Sequence, residues 1–131
     1  MATKSFGITL RGFHFEDWQF TFNLAAGITT NDVGKAVALD TSAPNTVKLA
    51  GDGDKIIGRL EVVENRTQDG SLVGNVALKF INALPKSGVI NIGDRVVGAG
   101  TGAVKAAAAD VDGGDNYVVE VGSTYVVVVK E

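Results

Sequence analysis

Ile56-Ile57-Gly58-Arg59-Leu60-Glu61-Val62-Val63 and Ser71-Leu72-Val73-Gly74-Asn75-Val76-Ala77-Leu78-Lys79-Phe80 are the two runs whose reading decides the fold. The first is rich in β-branched residues, the second alternates, and the polar connection between them ends in Gln68-Asp69-Gly70, so together they read as a β-hairpin. In the second run Leu72, Gly74, Val76, Leu78 and Phe80 share one phase, with mostly polar or small residues between them. That two-residue period belongs to a strand with one buried face and not to a helix. Gly58 and Gly74, placed inside the strands, predict bulges or close packing against a neighbouring backbone.

The same grammar extends in both directions. Upstream, Thr29-Thr30-Asn31-Asp32-Val33-Gly34 offers capping residues and a terminating glycine, which predicts one helical turn or a compact loop. Lys35 to Leu39 alternates, Asp40 to Asn45 carries turn residues, and Thr46-Val47-Lys48-Leu49 returns as a strand before the turn Gly51-Asp52-Gly53-Asp54. Downstream, Arg95-Val96-Val97 and Ala103-Val104-Lys105-Ala106 flank a glycine-rich turn. After a loop from Asp110 to Asn116, Tyr117 to Val121 and Thr124 to Val129 form a last hairpin around Gly122-Ser123. Four consecutive alanines, Ala106 to Ala109, are too short a run to hold a helix. Gly34-Lys35-Ala36-Val37 … Val47-Lys48-Leu49-Ala50 is echoed by Gly93-Asp94-Arg95-Val96 … Val104-Lys105-Ala106-Ala107, a hint of two similar hairpins packed into one barrel or sandwich.

The predicted class is all-β: one small β-barrel domain over residues 23–131, preceded by an extended N-terminal arm over residues 1–22. A chain of 131 residues suits one compact domain. Its 17 glycines, about twice the ~7% average, match many tight turns between short strands. With no cysteine there are no disulfides, thiolate nucleophiles or cysteine-based metal sites. The net charge of −3 argues against a nucleic-acid partner, which selects for a basic face. Val126 to Val129 is far short of the roughly 20 apolar residues that cross a bilayer, and Met1 to Phe6 lacks an apolar region of signal-peptide type. Synthesis and folding in the cytoplasm, without a membrane partner, are expected.

A search for chemistry finds little. His14 is the one histidine, and between Phe13 and Phe15 it reads as a surface or interface residue rather than a catalytic base. Asp52 and Asp54 lie in one glycine turn and Asp110, Asp112 and Asp115 in another. Such loops can offer oxygen ligands to calcium, but the second does not fit the twelve-residue calcium loop, because Asp115 stands where the glycine belongs and Val121 where the bidentate glutamate belongs. Asp and Gly are also what turns require, and turn chemistry is the reading taken. Glu61 and Glu64 fall on opposite faces of a regular strand, so they are not a hydrolytic pair. No enzyme, cofactor or metal is predicted.

What stands out is the arm. Phe6, Phe13, Phe15, Trp18, Phe20 and Phe22 are six of the nine aromatics, and Arg11 and His14 lie among them. The alternation slips by one near Glu16-Asp17, where a bulge or turn would return both sets to one side. Aromatics bury large areas and dominate interfaces, and they also fill ordinary cores; the arm reads as one or the other.

The run Ala26-Gly27-Ile28-Thr29-Thr30-Asn31-Asp32-Val33-Gly34-Lys35-Ala36-Val37-Ala38-Leu39-Asp40, followed by Asn45 to Ala50, resembles capsid decoration (cement) proteins of tailed bacteriophages. The likeness continues through Ile57 to Glu61, Gly74 to Leu78 and Val97 to Gly100, covering residues 24–107, with a looser match from Val126 to Lys130. The resemblance implies a β-barrel or β-tulip-like protein on the outer surface of the assembled phage head. It implies a homotrimer that braces adjacent subunits of the major capsid protein, with terminal arms reaching the shell. No binding motif carries over residue by residue, so the candidate interface is the aromatic arm: Phe6, Arg11, Phe13, His14, Phe15, Trp18, Phe20 and Phe22. The alternative is another β-rich virion component, such as a tail-tube, tail-completion or fibre-base protein.

Overall fold

The structure, a computed structural model, describes residues 18–66, 71–108 and 115–131. Nine strands account for most of them: β1 (Trp18–Leu24), β2 (Ala36–Leu39), β3 (Thr46–Leu49), β4 (Gly58–Arg66), β5 (Ser71–Pro85), β6 (Val96–Gly100), β7 (Ala103–Ala106), β8 (Asn116–Val121) and β9 (Tyr125–Lys130). The expected turn at Thr29 to Gly34 is a single 3-10 turn, Thr30–Asp32, held by a reciprocal capping box between Thr29 and Asp32. The fold is all-β, as the alternation predicts.

Seven strands form one sheet in the order β1-β3-β2-β4-β5-β9-β8, and a further β1–β5 pairing curls its first five strands into a closed ring. β1 pairs parallel with β3 and antiparallel with β5; the remaining pairings in the ring are antiparallel. β6 and β7 form a separate antiparallel pair. Closure matters because it pairs strand ends that would otherwise be open edges able to recruit another chain.

The echo in the sequence is a real structural repeat, and it reaches further than the two hairpins. Val37 faces Leu49 as Val96 faces Ala106, and Ala50 N–H donates to Ala36 O (3.0 Å) as Ala107 N–H donates to Arg95 O (2.8 Å). Gly34 and Gly93 enter the two units with φ of 95° and 93°, a left-handed conformation that glycine adopts at no steric cost. Each donates to the third residue of the strand that comes after the hairpin, Gly34 to Leu60 O in β4 (2.7 Å) and Gly93 to Val118 O in β8 (2.8 Å). Even the bulges correspond: β4 against β5 slips between Leu60 and Val62, and β8 against β9 between Val118 and Glu120.

The long strand β5 belongs to both units. Its first part pairs with β4 and β1, while Phe80 to Pro85 pairs with β9. Phe80 to Pro85 thus stands to the second unit as β1 stands to the first. Just beyond it, Ser87 N–H donates to Val104 O (2.8 Å), as Ala25 N–H donates to Val47 O (2.9 Å). The second ring therefore runs β5-β9-β8-β6-β7, closed by a parallel bridge between Lys86 and Val104, by the backbone bonds that Val118 makes with Gly93 and Asp94, and by a side chain. Where the first ring pairs β2 with β4, the second has Asn116, whose Oδ1 accepts from Val96 N–H (2.9 Å) and whose Nδ2 donates to Val96 O (3.3 Å).

Each ring has its own apolar filling. Val37, Val47, Leu60 and Val76 lie in the first cluster with Leu24 and Ile28; their counterparts Val96, Val104, Val118 and Val128 lie in the second with Phe80, Leu84 and Val126. Ala36, Ala38, Ala50 and Ala77, on the outer face of the first ring, join the second cluster. Valine inside and alanine at the junction is the pattern behind a core poor in aromatics: a small side chain lets one sheet approach another closely. Gly74 in β5 and Gly58 in β4 are close-approach positions, since a Cβ on Gly74 would strike the carbonyl of Val62 and one on Gly58 the carbonyl of Ala77.

Candidate functional site

The segment read as an arm ends as a wall of the first ring: its residues 18–22 are part of β1. Phe6, Arg11, Phe13, His14 and Phe15, and the phase slip near Glu16-Asp17, lie outside the described residues. Trp18, Phe20 and Phe22 are held on one strand by the ladder to β5, which has a register shift between Trp18 and Gln19. Phe22 is partly buried and packs against the first core cluster, so the aromatic segment serves in part as core.

Trp18 and Phe20 do not. They are 54% and 50% exposed, on a stretch of β1 that pairs with β5, while β3 pairs with the strand further on, at Asn23 and Leu24. The ammonium of Lys79 lies 5.3 Å from the centroid of the Trp18 ring, a cation–π contact that orients the indole without covering it. Next to Phe20, Thr21 Oγ1 donates to Asn75 Oδ1 (2.9 Å), a polar cross-strand pair on the face opposite that of Phe20. The ladder to β5 holds the backbone beneath both rings, so little backbone entropy remains to be lost when they are covered.

The acidic turn Gly51 to Asp54 is turn chemistry. Asp54 Oδ2 accepts from Gly51 N–H (2.9 Å) and lies 3.4 Å from Lys48 Nζ, and Asp52 pairs with Lys105 at 2.6 Å. Glu61, at the bulge, pairs with Arg59 at 2.7 Å. Asp115 lies 3.5 Å from Lys130 Nζ, and Asp110 and Asp112 fall outside the described residues. The carboxyl groups with displaced pKa values have local causes. The Lys35 ammonium and the Thr29 N–H hold Asp32 below the usual carboxylate range, and Ser42 does the same for Asp40 through its hydroxyl and N–H. Hydrogen bonding to the Glu120 carboxylate pushes the Tyr125 phenol up. A depression lined by Ala38, Leu39, Asp54, Lys55 and Ile57 has a volume of about 190 Å³, below the range in which small-molecule sites are built.

Sequence reading missed a second group of exposed apolar residues: Val89 and Ile92 in the connection between β5 and β6, Leu39 at the end of β2, and Tyr117 and Val119 on β8. A signal for the first pair exists. Val89, Ile90 and Ile92 lie between Gly88 and Gly93, both with positive φ, and so compact a loop buries only Ile90. For β8, the alternation of Tyr117 and Val119 against the buried Val118 was visible, but nothing in it tells which phase is covered.

No protein-family model matches the chain, and no curated protein matches it.

Proposed function

We propose that this protein is a structural virion protein that binds the outer surface of a phage head and braces adjacent subunits of the major capsid protein, acting as a homotrimer and as a binding protein rather than an enzyme. The observation that carries the reading is the pair of exposed rings, Trp18 and Phe20, on a strand locked into a closed barrel. Solvated rings of that size are favourable to cover, at roughly 25 cal/mol per Å² of apolar surface. They also continue directly from residues 1–17, where Phe6, Phe13 and Phe15 lie. The resemblance of residues 24–107 to decoration proteins supplies the partner. A symmetric shell multiplies a modest contact, since each further site is engaged at high effective concentration.

The test is co-sedimentation of the purified protein with expanded heads that lack their natural decoration. The wild-type chain is expected to saturate them. Trp18→Ala with Phe20→Ala, and separately a chain lacking residues 1–17, are expected to bind at least tenfold more weakly while keeping the circular dichroism of the intact fold. Wild-type binding by both would remove the aromatic segment from the mechanism. Decoration of tails with no binding to heads would replace the head reading by that of a tail component.

A further inference from the structure

Within the chain, the β6–β7 hairpin of the second ring docks on the first ring. Gly53 N–H donates to Gly98 O (2.8 Å) and Gly98 N–H to Asp54 O (2.8 Å); at the hairpin tip Ala36 N–H donates to Gly102 O (2.9 Å) and Gly102 N–H to Ala50 O (3.1 Å). Arg59 Nε donates to Ala83 O (2.7 Å) across the same joint. Were the two rings related by a two-fold axis, the joint would be reciprocal, and the β2–β3 hairpin would lie on the second ring in the same way. It does not. Leu39 holds the register position of Gly98, and Thr21 that of Ala83, yet both are exposed. The relation is heterologous, and a heterologous joint leaves one unused surface at each end.

The residues at those two ends are changed in a complementary sense. In the first ring, Arg59 and Glu61 form an ion pair tucked against the joint. The same positions of the second ring carry Tyr117 and Val119, which are 42% and 38% exposed. At the other end, the glycine of the inner joint is replaced by Leu39, 53% exposed. Gly98 works by backbone approach, since a Cβ there would strike the carbonyl of Gly51. Leu39 cannot repeat that approach, but its side chain supplies apolar area, which an interface without a covalent tether requires.

We propose that copies of this chain join head to tail, with Leu39 and the β2–β3 hairpin of one copy seated on Tyr117 and Val119 of the next. The number of copies rests on the trimer proposed above, in which six rings would alternate inner and outer joints; the joint itself does not depend on that reading.

The experiment uses the full chain in solution without heads. Native mass spectrometry is expected to give an oligomer for the wild type and monomers for Leu39→Asp and for Val119→Asp. Each variant keeps one sound surface, so their equal mixture is expected to give dimers and nothing larger. Because the chain has no cysteine, Leu39→Cys mixed with Tyr117→Cys is expected to form a disulfide-linked heterodimer on oxidation, while neither alone does. This second pair decides the matter if a charged variant fails to fold. A monomeric wild type, full-size oligomers from either charged variant, or absence of the heterodimer would overturn the joint. Loss of head binding with the oligomer intact would instead overturn the function proposed above.

Discussion

Asn116 gives the sharpest test of how the second ring closes. Its side chain is 1% exposed and stands in for a strand, satisfying both Val96 N–H and Val96 O. In Asn116→Ala both backbone groups stay buried without that partner. An unsatisfied buried polar group costs roughly 1–3 kcal/mol, so two, with some relaxation, predict a loss of about 3 kcal/mol. For a domain of this size that lowers the melting temperature by about 10 °C. Asn116→Asp refines the test. As a carboxylate it still accepts from Val96 N–H but faces Val96 O without a proton to donate, and its charge is buried. Burial raises its pKa in the folded state, so its stability relative to wild type is best below the unfolded carboxylate pKa and falls as pH rises through the raised value. The assay is urea unfolding followed by circular dichroism at pH 4 and pH 8, with hydrogen exchange at the Val96 amide as the local readout. A loss below about 0.5 kcal/mol in Asn116→Ala, with Val96 still protected, would refute the role given to this side chain.

Three further outcomes follow from packing. Phe80→Ala, at a fully buried position in the second core cluster, is expected to cost about 3–5 kcal/mol by denaturant titration. Gly98→Ala drives a methyl group into the Gly51 carbonyl and is expected to cost at least as much as a typical core overpacking, about 1–3 kcal/mol, with exchange accelerating first in β6 and β7. Asp32→Ala removes the capping box and the Lys35 contact and is expected to cost about 1 kcal/mol at pH 7. Because the folded pKa of Asp32 lies below its unfolded value, that contribution is present above the unfolded pKa and disappears as pH falls through the folded one; a deficit unchanged in acid would count against it.

Particular elements show why some features were legible in the sequence and others were not. The β2–β3, β4–β5, β6–β7 and β8–β9 hairpins were readable because each joins neighbours in the chain, and their turns require particular residues. Gly58 and Gly74 announced a bulge or a close approach, because glycine inside a strand gives up packing that a side chain would supply, and the structure shows the close approach. The end of β5 was not readable at Phe80: Ile81 to Pro85 continues the strand, since it changes partner from β4 and β1 to β9 without a turn. The boundary between arm and barrel was drawn from composition, but composition does not see that β1 completes a ring. Of the candidate site, Trp18 and Phe20 were legible as large rings at a strand period; their exposure was not, and Phe22 at the same period is partly buried.

The sequence by itself determined the class, the strand order along the chain and most turns, and it hinted at a repeat, because alternation, turn residues and glycine positions act within a few residues of one another. The tertiary structure alone decided that β1 closes the first ring, that one strand serves two rings, that an asparagine helps to close the second, and that their junction is not reciprocal. Those are pairings between segments tens of residues apart. Any alternating strand satisfies them equally well by its local pattern, and only the packing of the whole chain selects among them.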